Sequence, residues 1–215
     1  MATVNGKMTA IADAIRGKTG ETEPLTLDDM ATDIPKVYDV GKKAEYDGFW
    51  DNYQNYGEGI TPNYAFAYSR WTDANYNPKY PIKFTSTNLT NVFYSSSITD
   101  TKVPIHMEGC QTNNTFRGAK IVTIRELIVD ESTTYGYAGF PSSLENIKIT
   151  GTIGDDIDFG SCTKLTQGSL ISIINALKDY SALGTTCTLT LGATNLAKLT
   201  DEEKALATQK GWTLA

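Results

Sequence analysis

Histidine is nearly absent from this chain of 215 residues: there is one, His106. A histidine-based triad or a multi-histidine metal centre would have to be built around that single imidazole. Cysteine is also scarce. The three, at 110, 162 and 187, form no CxxC pair, which argues against a disulfide framework and a structural zinc site. They read as reduced, small hydrophobes facing a packed interior. Positive charge is in deficit, with 19 Lys and Arg against 25 Asp and Glu and a formal net charge of −6. A mildly acidic surface repels a phosphate backbone, so no nucleic acid is expected as a partner. Long apolar runs are missing too. The longest, Tyr64 to Tyr68, falls far short of the roughly 18 residues of a membrane span, and MATVNGKMTA carries no apolar signal-peptide segment. The expectation is synthesis in the cytoplasm, no membrane insertion, and release by some other agent.

What is present divides by composition into segments 1–40, 41–80 and 81–215. In the first, Met8, Ile11, Ala12 and Ile15 recur at helical spacing up to Gly17 and Gly20, and Leu27, Met30 and Ile34 recur up to Pro35. Thr26 is placed to cap the second helix, with Asp28 and Asp29 in its first turn. Helices this short are marginal alone, so their stripes must pack within the chain or on another subunit. This segment reads as an attachment or oligomerisation element.

Segment 41–80 is aromatic-rich, and positions 46 to 80 hold Tyr46, Phe49, Trp50, Tyr53, Tyr56, Tyr64, Phe66, Tyr68, Trp71, Tyr76 and Tyr80, half of the 22 aromatic residues of the chain. Phe49, Trp50 and Tyr53 have the spacing of one helix face. Two readings stand. Rings can cap an exposed core, or flat rings interleaved with asparagines can hold sugar rings, which makes Trp50 and Trp71 candidate ligand contacts.

From 81 onward an apolar-x-apolar triplet recurs at Ile82, Ile105, Leu127, Ile147 and Leu189, with separations of 23, 22, 20 and 42 residues. Phe93, Phe116, Phe140 and Phe159 recur at nearly the same period. Ile124 before Leu127 and Leu144 before Ile147 add the LxxLxL spacing. The period predicts an α/β leucine-rich-repeat-like solenoid with one strand per repeat of 20–23 residues. Leu170, Ile173, Ile174 and Leu177 after Ser169 predict a helix, Thr200 to Glu203 a capping box, and Gly211 the stop of a last helix. Leu196, Leu199, Leu206 and Trp212 are then expected to seal the C-terminal end.

Alternation along each strand turns Lys83, His106, Glu108, Glu126, Asp130 and Lys148 outward. One column is expected to read Lys83, His106, Ile128, Lys148 and Thr190, beside a second with Glu108 and Asp130. Such a mixed hydrogen-bonding face suits a polyhydroxyl or peptidic polymer. Asp155, Asp156 and Asp158 lack the later ligands of a calcium loop. Gly151-Thr-Ile-Gly154 lacks the lysine of a phosphate loop and reads as a turn. No metal, cofactor or catalytic residue is assigned.

The stretch from Leu170 to Ala215, with SIINALKDYS and TCTLTLGATNLAKLTDEEKALATQKGWTLA, is similar to the C-terminal portion of BspA-like leucine-rich-repeat proteins encoded in prophages of gut Firmicutes. MTAIADAIRGKTGETEPLTLDDMATDIPKV resembles a segment of tail-associated proteins of the same phages, and GFWDNYQNYGEGITPNYAFAYSRWTDANYNPKYPIKF resembles the aromatic block before their repeats. The resemblance implies a tail-tip or tail-fibre host-recognition module in the virion, partnered by a bacterial surface glycan or protein and by other tail proteins. A structural tail component without a receptor role is the alternative, and a surface-polysaccharide-degrading enzyme a weaker one. The three-fold symmetry usual in tail-tip proteins, with the helices at 7–16 and 27–34 needing partners, implies a homotrimer.

Overall fold

The computed structural model describes residues 4–20, 22–26, 28–31, 33 and 60–215, and the chain divides into two units, Met1–Asn52 and Tyr53–Ala215.

In the first unit, helix α1 spans Val4–Thr19. Gly17, expected to end it, lies inside it; Gly20 ends it at φ +79°, its N–H reaching the Arg16 carbonyl at 2.9 Å. Residues 28–31 and 33 are also helical. Thr26 caps them reciprocally: its hydroxyl accepts from Asp29 N–H at 3.2 Å, and the Asp29 carboxylate accepts from Thr26 N–H at 2.8 Å. Ala12, Ile15 and Met30 bury one another, with Met8 and Leu25 packed against them. Apolar residues from both stripes therefore meet inside this unit, although Ile11 stays 48 % exposed. Leu27, Ile34 and Pro35 fall outside the described residues, as do Phe49, Trp50 and Tyr53.

The second unit holds nine short strands among the described residues: β1 Asn88–Thr90, β2 Ile105–His106, β3 Gln111–Asn113, β4 Thr123–Val129, β5 Thr134–Tyr137, β6 Asn146–Gly151, β7 Ile157–Asp158, β8 Thr188–Thr190 and β9 Thr213–Leu214. Helices α2 (Gln167–Ala176), α3 (Gly192–Leu196) and α4 (Asp201–Gln209) complete it. The strands form three parallel sheets ordered β1-β3-β5, β2-β4-β6 and β7-β8-β9.

This corrects the expectation of a leucine-rich-repeat-like solenoid with one strand per repeat. The fold is mixed α/β. From 88 to 151 each recurrence supplies a strand to two different sheets, as β2 and β3 or β4 and β5 do. No single ladder runs through the unit: partners in the first two sheets are offset by 22 to 24 residues (Ile105 with Leu127, Asn113 with Tyr137). In the third sheet the offset becomes 32 for Ile157 with Leu189, where α2 intervenes. The periodic triplets located places of pairing but not how many strands each recurrence makes.

A column of rings runs beside the first two sheets. Phe66, Phe93, Phe116, Phe140 and Phe159 lie ring over ring, with successive centroids 5.1, 5.5, 5.3 and 4.3 Å apart and interplanar angles of 28° or less. All are at most 4 % exposed. Inward aliphatics of the β2-β4-β6 sheet, among them Ile105, Ile124, Leu127, Ile147 and Ile149, are buried too. At the start of the column Phe66 meets Trp71 and Tyr76 edge-on, at 5.4 and 5.3 Å. The described aromatic residues 60–80 thus act in part as cover for the core.

The β2-β4-β6 sheet ends on α2. The Ser169 hydroxyl accepts from Ile147 N–H at 3.0 Å and the Ser172 hydroxyl from Ile149 N–H at 2.9 Å, so one face of a helix meets donors of strand β6. Thr166, rather than Ser169, is the N-cap of α2, accepting from Ser169 N–H. The expected capping box of Thr200 and Glu203 opens α4, and Gly211 follows its end at φ +83°. Leu199 and Trp212 are buried, whereas Leu206 is 44 % exposed and seals nothing. At Gly151 a Cβ would sit 1.8 Å from the Val129 carbonyl oxygen, so only glycine fits where β6 leaves β4.

Truncating a ring in the middle of the column leaves its neighbours facing a void. Phe116→Ala is expected to lower the unfolding free energy by about 3–5 kcal/mol in urea titration, and Phe116→Leu, which keeps most of the volume, by less.

Candidate functional site

The outward positions of β2, β4 and β6 are the candidate face. His106 stands opposite Ile128, and Ile128 opposite Thr150. Ile82 bridges Ile105, which puts Lys83 beside His106. The column therefore reads Lys83, His106, Ile128 and Thr150. Lys148 is not a member, and Thr190 belongs to another sheet, opposite Asp158.

A bulge accounts for the difference. Ile124 faces Ile147 and Leu127 faces Ile149, so Arg125 and Glu126 together oppose the single residue Lys148. The interval of three between Ile124 and Leu127, read from sequence as part of a leucine pattern, is the extra residue of that bulge. It delivers Glu126 to β6. The Glu126 carboxylate accepts from Lys148 Nζ and from Thr150 Oγ1, both at 2.6 Å. These two hydrogen bonds outweigh partial burial and hold the Glu126 carboxyl below its ordinary range.

The neighbouring strand carries a second pair, His106 Nδ1 with Glu108 Oε2 at 2.9 Å. His106, Glu108 and Lys83 line a shallow groove of about 380 Å3, together with Thr85, Ser86 and Cys110. A histidine, a carboxylate and a thiol on one groove invite comparison with a nucleophilic site, but the chemistry opposes it. The Cys110 thiol is directed to the Glu108 carbonyl at 3.6 Å. Burial, then the charges of Glu108 and Asp130, push it up to about 11, the reverse of what activates a thiolate.

Three residues singled out from sequence do other work or lie elsewhere. Asp130 faces a turn: one carboxylate oxygen accepts from Gly109 N–H at 2.9 Å, Ser132 N–H at 3.0 Å and the Ser132 hydroxyl at 2.8 Å. Partial burial raises its carboxyl, but these bonds prevail and the net shift is downward. Its oxygens are committed to shape rather than to a ligand. Trp71 is 4 % exposed and wedged against Phe66 and Tyr76, so its ring offers no open surface; its candidate role as a ligand contact is corrected. Trp50 lies outside the described residues.

Beside the predicted face, Lys148 also borders a cavity of about 490 Å3 between β6 and α2, with Thr150, Ser172 and Asn175. The sequence reading did not include Ser172 or Asn175, because alternation along strands says nothing about a helix standing beside the last one. Asp156 and Asp158 each accept a backbone N–H, from Thr188 at 2.6 Å and Gly160 at 2.7 Å. Among the described residues no group of three or more His, Cys, Asp or Glu is placed to hold a metal ion. All three cysteines are free and buried.

Compared with known protein families, curated proteins and solved structures, the chain matches none.

The lowered Glu126 carboxyl makes stability depend on pH. Because it is held below its unfolded value near 4.5, its contribution is present above that value and lost as pH falls through the lowered folded one. Glu126→Gln should melt below the native protein at about pH 7, and the gap should close towards about pH 3 when thermal unfolding is followed across that range.

Proposed function

We propose that the chain is a recognition module of a bacteriophage tail, binding a bacterial surface glycan or protein along the groove and outward face that hold Lys83, His106, Glu108, Glu126 and Lys148. The phage setting rests on the sequence resemblance. One observation carries the choice of surface: opposite charges on adjacent strands are tied in pairs, His106 with Glu108 and Lys148 with Glu126, beside an open groove. Each pair holds its donors and acceptors in fixed places on a parallel sheet, so a polymer meets an ordered row rather than mobile side chains. The row mixes signs, as hydroxyl, amide and carboxylate groups of a surface polymer would require.

The reading is one of binding rather than bond breaking. The buried, raised thiol of Cys110 is not an activated nucleophile. The assembly proposed with it is a homotrimer held in the tail by other virion proteins, and the 48 % exposed Ile11 on α1 is a contact such an assembly would cover.

The test is retention by host cells and by their isolated wall glycans in sedimentation. His106→Ala combined with Lys148→Ala is expected to weaken retention roughly tenfold, about 1.4 kcal/mol, with a nearly unchanged melting temperature. Undiminished retention would overturn this placement, and shortened glycans in the supernatant would favour an enzyme. Light scattering should give three times the chain mass of 23.5 kDa; the mass of one chain would remove the trimer.

A further inference from the structure

A second surface stands out through its backbone. Phe66, Phe93 and Phe116 each sit between two residues of left-handed conformation, two positions before and two after: Tyr64 and Tyr68 (φ +56° and +66°), Asn91 and Ser95 (+55° and +53°), Asn114 and Gly118 (+53° and +70°). These turns lie side by side. Tyr68 N–H donates to the Tyr94 carbonyl at 2.7 Å, and Ser95 N–H to the Arg117 carbonyl at 2.9 Å. Asparagine and glycine adopt positive φ readily, whereas a tyrosine does so against the clash of its Cβ with the backbone. In the first turn both such places are tyrosine.

Burial does not offset that cost, since Tyr64 and Tyr68 are 38 % and 49 % exposed. What the rings gain is each other. They lie parallel at 6° with centroids 5.7 Å apart, and Tyr94 meets Tyr68 edge-on at 6.0 Å. On the following turns the Arg117 guanidinium lies 5.7 Å from the centre of the Tyr137 ring, itself 55 % exposed. With neighbouring segments about 4.8 Å apart, the planar groups from Tyr68 through Tyr94 to Arg117 span on the order of 10 Å.

We propose that Tyr64, Tyr68 and Tyr94, extended by Arg117 and Tyr137, form a stacking platform for a neutral saccharide chain, apart from the charged face. It rests on the reading of the chain as a polymer-binding module, and names the ligand class of a further site on it. A pyranose presents flat patches of C–H to an aromatic face and hydroxyls at its rim. The same turns carry the carboxamides of Asn63, Asn91 and Asn113, which can both donate to and accept from hydroxyls. A net charge of −6 disfavours a polyanionic ligand. Stacking rings edged by amides fit an uncharged polyhydroxyl chain better than a proline-rich peptide, which needs an apolar groove between rings.

The probes are cellohexaose and chitohexaose, titrated into the full chain while tyrosine ring signals are followed by NMR. Saturable binding of at least one is expected, with Kd in about the millimolar range or below. Tyr68→Gly and Tyr64→Asn should each weaken it roughly tenfold while leaving the melting temperature unchanged or raised, because glycine and asparagine accept the positive φ. Tyr80→Ala, which removes an exposed ring elsewhere, should change nothing. The proposal is overturned if neither saccharide binds, if both substitutions leave binding intact, if both lower the melting temperature, or if a proline decamer binds more tightly than either sugar. Failure here leaves retention through His106 and Lys148 standing, and loss of that retention leaves this titration unaffected.

Discussion

Five phenylalanine rings must lie over one another, and most of the second unit follows from that. Rings whose centroids are 4.3 to 5.5 Å apart advance at nearly the spacing of adjacent hydrogen-bonded strands. Each ring therefore fixes the level of its own segment of chain. The backbone answers with amide-to-carbonyl bonds between successive turns, as from Phe66 to Val92, Phe93 to Thr115 and Phe116 to Ala138. Stack and ladder specify the same register, and each would be strained without the other.

That constraint also explains why the strands are so short. Turning tightly around a ring requires left-handed residues on either side, and such residues interrupt a strand. The chain thus makes brief contacts with one sheet, bends at a ring, and contacts another. Outward side chains are brought to the surface at intervals set by the rings, which is how His106, Glu126 and Lys148, distant in sequence, come to share one face. The bulge at Arg125 and Glu126 is the exception to uniform spacing, and it falls where the charged pairing is densest.

The legible part of the fold was its longitudinal order. Intervals of 22 and 23 residues between apolar triplets are offsets at which strands pair, and the spacing of Phe93, Phe116 and Phe140 marked the stack. The capping boxes at Thr26 and Thr200 were legible because their donors and acceptors are local. The number of strands was not: polar stretches such as Gln111–Asn113 have no apolar triplet, and they pair because the turns hold them level with their neighbours. The outward places of Lys83, His106 and Lys148 followed from alternation, but the partner of Lys148 depended on a bulge that inserts a residue. Trp71 misled because an aromatic residue among asparagines looks the same whether its ring points to solvent or to Phe66. Strained tyrosines are invisible in sequence, since nothing in the letters distinguishes a left-handed tyrosine from any other.

The serine hydroxyls that α2 presents to β6 have a consequence for how copies of this chain can meet. An open parallel edge invites any extended segment, from the same protein or another, to continue the sheet. Here Ser169 and Ser172 already occupy the donors of Ile147 and Ile149, with the helix standing where the next strand would lie. That edge cannot recruit a strand without expelling a helix. A particle that displays many copies at close quarters thereby loses one route to unwanted sheet-to-sheet fusion, at the cost of two hydroxyls and a well-placed turn.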